Sequence, residues 1–254
     1  MRMKVRVIVA TLGERPSLKR TLKSIVNQEI FDLEVKIVVP VEKIHYISDL
    51  VSDLNLKNFQ IIEDQKKGFS AAINQGWSAE GDFDYFCWIN DDDELTDGSI
   101  LRSLISLDSD SKLSAVVGNL GYFRSKRVKI VRNKVSKFTF FVSKIGPNII
   151  PQPGSLIRQD KIKESLPLNE NYKYAMDLDL WLKILREGKI GLIRETQALM
   201  FWHTESITVI NRRQATFEAF QIRYRNAENI FIKLLILLFY VPTRILSSLI
   251  SKLS

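Results

Sequence analysis

The alternation of short apolar runs with helical patterns in the first hundred residues constrains the fold of this chain most strongly. Four runs rich in β-branched residues, each bounded by turn formers, predict buried strands at 5–10, 35–41, 59–62 and 85–89. Helical patterns follow the first and third runs, and their apolar faces are Leu18, Leu22, Ile25, Val26 and then Phe69, Ala72, Ile73, Gly76, Trp77. Strands alternating with helices predict an α/β protein whose mostly parallel sheet is covered on both faces.

The second half of the chain is less regular. A short strand is predicted at 115–118, a long loop or hairpin in the basic stretch after it, and a turn-rich connection at 147–153. Residues 177–186 have a helical pattern, and 199–202 is a candidate strand ending at His203.

Composition indicates a folded protein of a reducing compartment. The 254 residues are 45% hydrophobic and 26% charged, which is enough apolar side chain to bury a core. The single cysteine, Cys87, excludes an internal disulfide, and its apolar surroundings favour a buried thiol over a nucleophile. The apolar run at the amino terminus is too short for a signal peptide, so we expect a cytoplasmic protein.

Positive charge is concentrated in two stretches of the chain, whose net charge is +8. Residues 121–144 contain eight Lys or Arg and no Asp or Glu, and residues 211–254 contain seven basic and two acidic residues. Such stretches suggest a phosphate-bearing partner, which could be a nucleotide, a nucleic acid or an anionic lipid. A solvated basic face is the alternative.

The carboxyl-terminal segment is almost wholly apolar between 230 and 240, and is interrupted by Lys233, Pro242 and Arg244. A transmembrane helix needs about 20 apolar residues, so these interruptions make the segment a poor span. A helix that lies in the membrane interface, with its cations on anionic headgroups, fits better. The alternative is a helix packed on the domain or on another subunit.

Four consecutive acidic residues, Asp91 to Glu94, follow directly on the apolar run 85–89. Because ligands of open α/β sheets bind outside the carboxyl ends of the strands, the cluster is predicted to lie at the binding edge. One or two of these carboxylates can converge on Mg²⁺ or Mn²⁺, with substrate phosphates completing the coordination. A solvated acidic turn that caps a helix is the alternative.

Two other positions could take part in chemistry. Asp177 stands where a helix begins, two residues before Asp179. A carboxylate there is favourable simply as a cap, but it could also be a general base that takes a proton from a hydroxyl. His203 could bind a metal or a phosphate, although a lone histidine is more often structural.

The motifs occur in a characteristic order along the chain. In order they are VRVIVATLGERP (5–16), SIVNQ (24–28), GFSAAINQG (68–76), WINDDD (88–93), PQPGS (151–155), DLDLWLK (177–183) and HTESI (203–207). Over roughly residues 4–210 this order resembles family 2 glycosyltransferases of bacterial and archaeal type, whose nucleotide loop, DXD strand, acceptor segment, catalytic-base motif and histidine motif have this arrangement. Each motif is weak alone, and the series together is specific.

The resemblance implies the GT-A fold, an α/β, Rossmann-like, mostly parallel sheet with helices on both faces, followed here by a C-terminal amphipathic helical tail. It implies inverting, metal-dependent transfer of a sugar from a nucleotide diphosphate sugar to the hydroxyl of a glycan or lipid-linked acceptor, in cell-surface polysaccharide or glycoconjugate synthesis. Asp177 would be the base, Asp92 and His203 would bind Mn²⁺ or Mg²⁺, and Thr11 and Asn90 would lie at the nucleotide.

The resemblance also implies which other residues bind the substrates. The donor would contact Ala10, Thr11, Leu12, Glu14, Arg15, Glu42, Lys67, Gly68, Asn74, Asn90 and Asp91. The acceptor would contact Gln152, Gly154, Asp179 and Trp181. A glycosyltransferase domain is expected over 1–225, with a nucleotide-sugar-binding half at 1–105 and an acceptor-binding half at 106–225, followed by a membrane-associated helix at 226–254.

Two other functions are compatible with parts of the sequence. A nucleotidyltransferase needs a Gly-rich phosphate loop near its amino terminus, where only Gly13 is found. A non-catalytic module would use the basic charge to bind nucleic acid or membrane, but a carboxylate cluster at the cleft argues against nucleic acid. The favoured expectation is an enzyme peripheral at the inner face of the cell membrane, with no nucleic-acid partner and with homo-oligomerisation left open.

Overall fold

The computed structural model describes residues 3–28, 30, 32–123, 136–162, 165–201 and 210–253. The strands in these ranges are β1 Val5–Ala10, β2 Leu33–Val39, β3 Phe59–Glu63, β4 Tyr85–Asn90, β5 Asp93–Leu95, β6 Leu113–Phe123, β7 Leu156–Arg158 and β8 Lys189–Phe201. The α-helices are α1 Leu18–Val26, α2 Ile44–Asp53, α3 Phe69–Ser78, α4 Ser99–Ser109, α5 Lys137–Ile145, α6 Met176–Glu187, α7 Arg212–Asn226 and α8 Ile230–Leu253. Short 3₁₀ helices occupy Val41–Lys43 and Gln159–Lys161.

The described strands form one sheet in the order β3-β2-β1-β4-β7-β6-β8-β5. β1 pairs in parallel with β2 and β4, β2 with β3, and β6 with β8. β7 runs antiparallel between β4 and β6, and β5 is antiparallel to β8. The predicted mixed, mostly parallel sheet is therefore confirmed, and the carboxyl ends of β1 and β4 lie side by side.

Both faces of this sheet are buried, as the near-continuous apolar run of β1 predicts. Val7 and Val9 enter a core shared with α1, α2 and α4, whereas Ile8 and Ala10 enter a second core shared with α3, α6 and α7. Because neighbouring residues of a strand point to opposite faces, one strand contributes to both cores. The result is a sheet sandwiched between two helical layers.

Helix α3 lies unusually close to β1. A Cβ on Gly76 would be 2.5 Å from Cγ2 of Ile8, a separation that no side chain can accept. Gly68, just before the helix, has a φ of +104°, which favours glycine over any residue with a Cβ. Gly76 therefore lets α3 pack closely on β1, and Gly68 supplies the backbone conformation that leads into the helix.

The buried guanidinium of Arg6 completes the packing of α3. It donates hydrogen bonds to the carbonyl oxygens of Trp77 and Ala79, both at 2.8 Å, and of Gly81 at 2.9 Å. Its Nε also pairs with Glu34 at 2.5 Å. Carbonyls at a helix carboxyl end lack partners within the helix, and this arginine supplies them.

Part of the second half differs from the sequence prediction. The stretch 121–144 was expected to be a loop or hairpin, but β6 continues to Phe123 and α5 begins at Lys137. The expectation was wrong for these parts because Ser136 and Thr139 form a capping box that starts a helix. Residues 124–135 lie outside the described ranges.

Helix α8 packs against α7 through aromatic and cationic side chains. The rings of Phe220 and Tyr240 stack with centroids 4.1 Å apart, and the ammonium of Lys233 lies 5.1 Å above the ring of Tyr224. Ile236 of α8 is almost completely buried. Among the described residues, no helix combines the length and apolarity needed to cross a bilayer, which agrees with the interruptions noted in this segment.

Candidate active site

A cavity of about 910 Å³ opens at the carboxyl ends of β1 and β4. Its walls are the segments that follow these two strands, the loop between α5 and β7, the first residues of α6, and one face each of α7 and α8. The predicted site residues that line it are Ala10, Thr11, Leu12, Glu14, Arg15, Gly68, Asn90, Asp91, Asp92, Gln152 and Asp177. The fold thus brings most of the predicted donor-binding residues to one cavity with the predicted base.

A charged cluster lies where β1 and β4 end. The Thr11 hydroxyl donates a hydrogen bond of 2.7 Å to Asp91 and accepts one of 2.9 Å from the backbone N–H of Gly13. The guanidinium of Arg15 pairs with Asp91 at 3.0 Å and also with Asp92. Two carboxylates therefore converge on a single positive charge at the edge of the cavity.

Asp93, the third aspartate of the run, has a different environment. Its side chain is fully buried and accepts a hydrogen bond of 2.9 Å from the Asn90 amide. Burial, together with the neighbouring charge of Asp92, raises the pKa of Asp93 well above its usual value. This hydrogen bond ties Asn90, the last residue of β4, to the start of β5, and Asn90 also lines the cavity.

The carboxylate oxygens at this edge fit a divalent cation whose remaining ligands are phosphate oxygens of the substrate. In the described part of the chain no cluster of three or more His, Cys, Asp or Glu forms a closed metal site. Two carboxylates, Asp91 and Asp92, already share the cationic group of Arg15, and Mg²⁺ is typically bound by one or two carboxylates plus substrate phosphates. His203, the other predicted metal ligand, lies outside the described residues.

Asp177 lies at the start of α6 and lines the same cavity. Its carboxylate accepts hydrogen bonds from the Asn148 amide at 2.9 Å and from the backbone N–H of Leu178 at 2.8 Å. Desolvation raises the pKa of Asp177 to about 6, and these hydrogen bonds and the charge of Arg223 limit the rise. A carboxylate with a pKa near neutrality that opens to a cavity can accept a proton in a reaction.

The loop before β7 carries two predicted acceptor residues with different roles in the structure. The Gln152 amide donates a hydrogen bond of 2.7 Å to the backbone carbonyl of Trp88 in β4, and the residue lines the cavity. Gly154 does not line the cavity and has a φ of +75°. A Cβ there would lie 2.7 Å from Cβ of Gln197, so Gly154 lets the loop approach β8.

The structure does not bring the predicted donor residues Glu42, Lys67 and Asn74 to the cavity. Glu42 is exposed and pairs with Lys66 at 2.9 Å, and Lys67 is also exposed. The buried Asn74 amide donates a hydrogen bond of 2.9 Å to the carbonyl of Leu168. In this conformation Asn74 therefore anchors α3 to the segment before α6.

Asp179 and Trp181 of α6, both predicted to bind the acceptor, also lie away from the cavity. Trp181 is fully buried in the core shared with α3 and α7, because the helical spacing of α6 directs it inward. Asp179 pairs with Lys183 at 2.9 Å, one helical turn further on. Neither side chain can contact an acceptor in the cavity without rearrangement.

Several lining residues have no counterpart in the sequence prediction. Asn148 positions the carboxylate of Asp177, and Arg212 and Arg223 enter the cavity from α7, as Phe239 and Tyr240 do from α8. No motif marked them, since Asn148 lies in a turn-rich connection and the arginines belong to a basic segment. The only relevant signal was the excess of positive charge after residue 211.

Solved structures of similar fold show which fold this chain has. TarS from S. aureus, residues 1–349 bound to UDP-GlcNAc, is 14% identical with a TM-score of 0.68, over 93% of this chain and 71% of that chain. The mannosyltransferase PcManGT from Pyrobaculum calidifontis, bound to GDP-Man and Mn²⁺, is 15% identical with a TM-score of 0.67, over 100% and 76%. At these identities the likeness establishes the fold, which is that of the GT-A glycosyltransferases.

The sequence itself shows the family of the chain. The family model described as Glycosyl transferase family 2 matches residues 6–166, which is more than half of the chain. The chain therefore belongs to glycosyl transferase family 2, and the resemblance noted in the sequence is confirmed. No curated protein sequence matches the chain.

Proposed function

We propose that the protein transfers a sugar from a nucleotide diphosphate sugar to an acceptor hydroxyl, with inversion of the anomeric centre. The observation that carries the proposal is that one cavity is lined both by the Asp91–Asp92 cluster and by Asp177. Membership of family 2 supports the reaction class, and the structures of similar fold bind UDP-GlcNAc and GDP-Man.

In the proposed reaction Asp177 takes the proton of the acceptor hydroxyl while its oxygen attacks the anomeric carbon. The bond between that carbon and the phosphate oxygen breaks, and its electron pair leaves with the nucleoside diphosphate. A pKa of about 6 leaves Asp177 ionised at neutral pH and still basic enough to accept the proton. Asn148 donates its hydrogen bond to one carboxylate oxygen and orients the other.

Asp91 and Asp92 are proposed to hold a divalent cation, Mn²⁺ or Mg²⁺, with His203 as a further ligand. When bound, such an ion neutralises charge on the departing diphosphate. Arg15 already places a positive charge between the same carboxylates. We therefore expect this guanidinium to move toward the diphosphate when a cation is bound.

Turnover and donor binding by the Asp177→Asn variant test the proposal. The purified chain is incubated with a panel of nucleotide diphosphate sugars, Mn²⁺ and candidate acceptors, and the product anomer is assigned by NMR. The variant should lose transfer by about 10²-fold or more while its donor dissociation constant stays within about twofold of wild type. Asp160→Asn, which changes an exposed carboxylate away from the cavity, is the matched control. Retention of the anomeric configuration, or full turnover by Asp177→Asn, contradicts the mechanism.

The exposed side of α8 supports peripheral membrane association, at the inner face of the membrane. Its large apolar side chains recur three or four residues apart and are between 57% and 71% exposed: Ile230, Phe231, Leu234, Leu238, Val241 and Ile245. On the neighbouring α5, Phe138 and Phe141 are also exposed. The sequences of α5 and α8 contain lysines and arginines but no acidic residue, so their charge complements an anionic bilayer.

Sedimentation with vesicles of phosphatidylcholine, with and without phosphatidylglycerol, tests this surface. The double change Phe231→Ser and Leu238→Ser should weaken binding to the anionic vesicles by about tenfold or more. Leu101→Ser with Ile105→Ser removes equally exposed apolar residues from α4 and should leave binding unchanged. Equal binding by both double variants, or a stable dimer that only the α8 changes dissociate, contradicts membrane docking.

A further inference from the structure

Arg223 of α7 is a buried cation that faces the cavity without a full set of partners. Its side chain is only 7% exposed, and its Nε donates a hydrogen bond of 2.9 Å to the carbonyl of Ser143 in α5. Within the described ranges, its two terminal nitrogens donate no hydrogen bond and form no ion pair with a protein group. A buried charge is costly unless it is paired, so this guanidinium is suited to an anionic ligand.

Among the described residues, no acidic side chain forms an ion pair with this arginine. Asp177 acts on it electrostatically, but its carboxylate is hydrogen-bonded to Asn148 and to the backbone. Glu218, the acidic residue within α7, accepts hydrogen bonds from the backbone N–H groups of Tyr174 and Ala175 at 2.7 and 2.8 Å. Arg212, three turns before Arg223 on the same helix, adds a second cation to the cavity wall.

The surface next to Arg223 is apolar and aromatic. Phe220, one turn earlier on α7, stacks on Tyr240 of α8 at 4.1 Å, and Phe239 also lines the cavity. These α8 residues lie on the side of the helix opposite the exposed apolar stripe that is proposed to meet the bilayer. A buried guanidinium beside aromatic side chains is complementary to an amphiphile that has an anionic head group and an apolar chain.

We propose that Arg223, with Arg212, binds the phosphoryl group of the acceptor, and that the acceptor is a sugar carried on a lipid phosphate, whose own hydroxyl receives the transferred sugar. This inference rests on the proposed function and adds the acceptor's chemical class to it. The phosphoryl oxygens accept hydrogen bonds from the terminal nitrogens of Arg223, and the first part of the lipid chain lies against Phe239 and Tyr240. The acceptor hydroxyl then lies within reach of Asp177.

Calorimetry on the full chain with three probes tests the site. Decyl phosphate, below its micelle concentration, carries both features of the proposed ligand, inorganic phosphate carries only the charge, and decanol carries only the chain. Decyl phosphate should bind wild type at least about tenfold more tightly than either of the other two probes, because only it uses both contacts. Weak binding of all three probes to wild type, or equal binding of decanol and decyl phosphate, overturns the proposal.

Variants of α7 identify the residues. Arg223→Gln should weaken decyl phosphate binding by about 10- to 100-fold, as expected for the loss of charge-assisted hydrogen bonds. Arg213→Gln, on the same helix but outside the cavity lining, should bind like wild type. If circular dichroism shows that Arg223→Gln does not fold, the Arg212→Gln variant is measured instead. Its affinity for decyl phosphate should fall by about threefold or more. Unchanged binding by the folded variant overturns the assignment.

Donor binding separates this inference from the function on which it rests. Arg223→Gln should bind nucleotide diphosphate sugars with a dissociation constant within about twofold of wild type. If it loses the donor instead of decyl phosphate, Arg223 holds the donor diphosphate and the acceptor assignment is wrong, although glycosyl transfer stands. If decyl phosphate binding depends on Arg223 but no sugar is transferred to any acceptor, the proposed function fails and the anion site remains.

Discussion

Replacing Asp177 by Asn should make the protein progressively more stable relative to wild type as the pH rises from 4 to 8, because the native carboxylate becomes ionised in a poorly solvated place. Burial raises its pKa from 3.8 to about 6 in the folded state. A raised carboxyl pKa means that the folded state binds more protons than the unfolded state between these values. Wild type therefore loses stability as the pH rises through this window, and the amide variant has no such loss at this position.

The size of the effect follows from the shift. One pKa unit corresponds to about 1.36 kcal/mol, so a rise from 3.8 to about 6 costs the folded wild type about 3 kcal/mol above pH 7. This is an upper value, since the carboxylate opens to a cavity that water can enter. The difference in unfolding free energy, variant minus wild type, should increase by about 1–3 kcal/mol between pH 4 and pH 8.

Urea unfolding of both proteins across this pH range measures that difference, because all other titrating groups are common to the two chains. The rate of sugar transfer by wild type should rise with pH through about 6, as the base loses its proton, and then level off. A constant stability difference from pH 4 to pH 8, or a transfer rate that falls as the pH rises through 6, would refute the reasoning.

Three further changes test the packing and the charged cluster. Arg6→Met should lower the unfolding free energy by about 3–5 kcal/mol in denaturant titrations, since it removes the donor to the carbonyls at the end of α3 and leaves Glu34 with Lys36 alone; a loss below about 1 kcal/mol would contradict this. Gly76→Ala should cost about 1–3 kcal/mol because its Cβ meets Ile8, and a thermal melt unchanged from wild type would show that α3 can move away. Arg15→Ala should tighten Mn²⁺ binding by about two- to fivefold, because the guanidinium no longer competes for the two carboxylates. Electron paramagnetic resonance in the absence of the sugar donor measures this binding. Weaker binding by the variant would show that the guanidinium holds the carboxylates in place.

Much of the first half was predictable because its signals are local. The apolar runs of β1 and β4 lie between turn formers, and their parallel pairing brings Thr11 and Asp91 together across 80 residues of sequence. The alternation of strands and helices predicts that both strands end at the same edge of the sheet, and the structure adds that they are neighbours. The helices α2 and α4 were not predicted, although they complete one of the two helical layers.

The acceptor side was not predictable in the same way, because its geometry depends on contacts between distant segments. Asn148 reaches Asp177 across 29 residues, and Arg223 reaches Ser143 across 80. Helix α7 mixes arginines with aromatic residues and has no clear apolar face, so its sequence does not show which arginine points inward. For Trp181 the prediction was wrong in the other direction. Its place in a motif predicted a contact with the acceptor, but its position on α6 directs the side chain into the core.

The proposed reaction requires one cavity in which the donor's diphosphate lies beside Asp91 and Asp92 and the base is Asp177. Anomalous diffraction from crystals of Asp177→Asn soaked with Mn²⁺ and an intact donor sugar tests it most directly. We predict a manganese peak about 2.0–2.3 Å from a carboxylate oxygen of Asp91 or Asp92, with the anomeric carbon facing the residue at 177. Manganese and nucleotide bound elsewhere on the protein, or an anomeric carbon turned away from that residue, would contradict it.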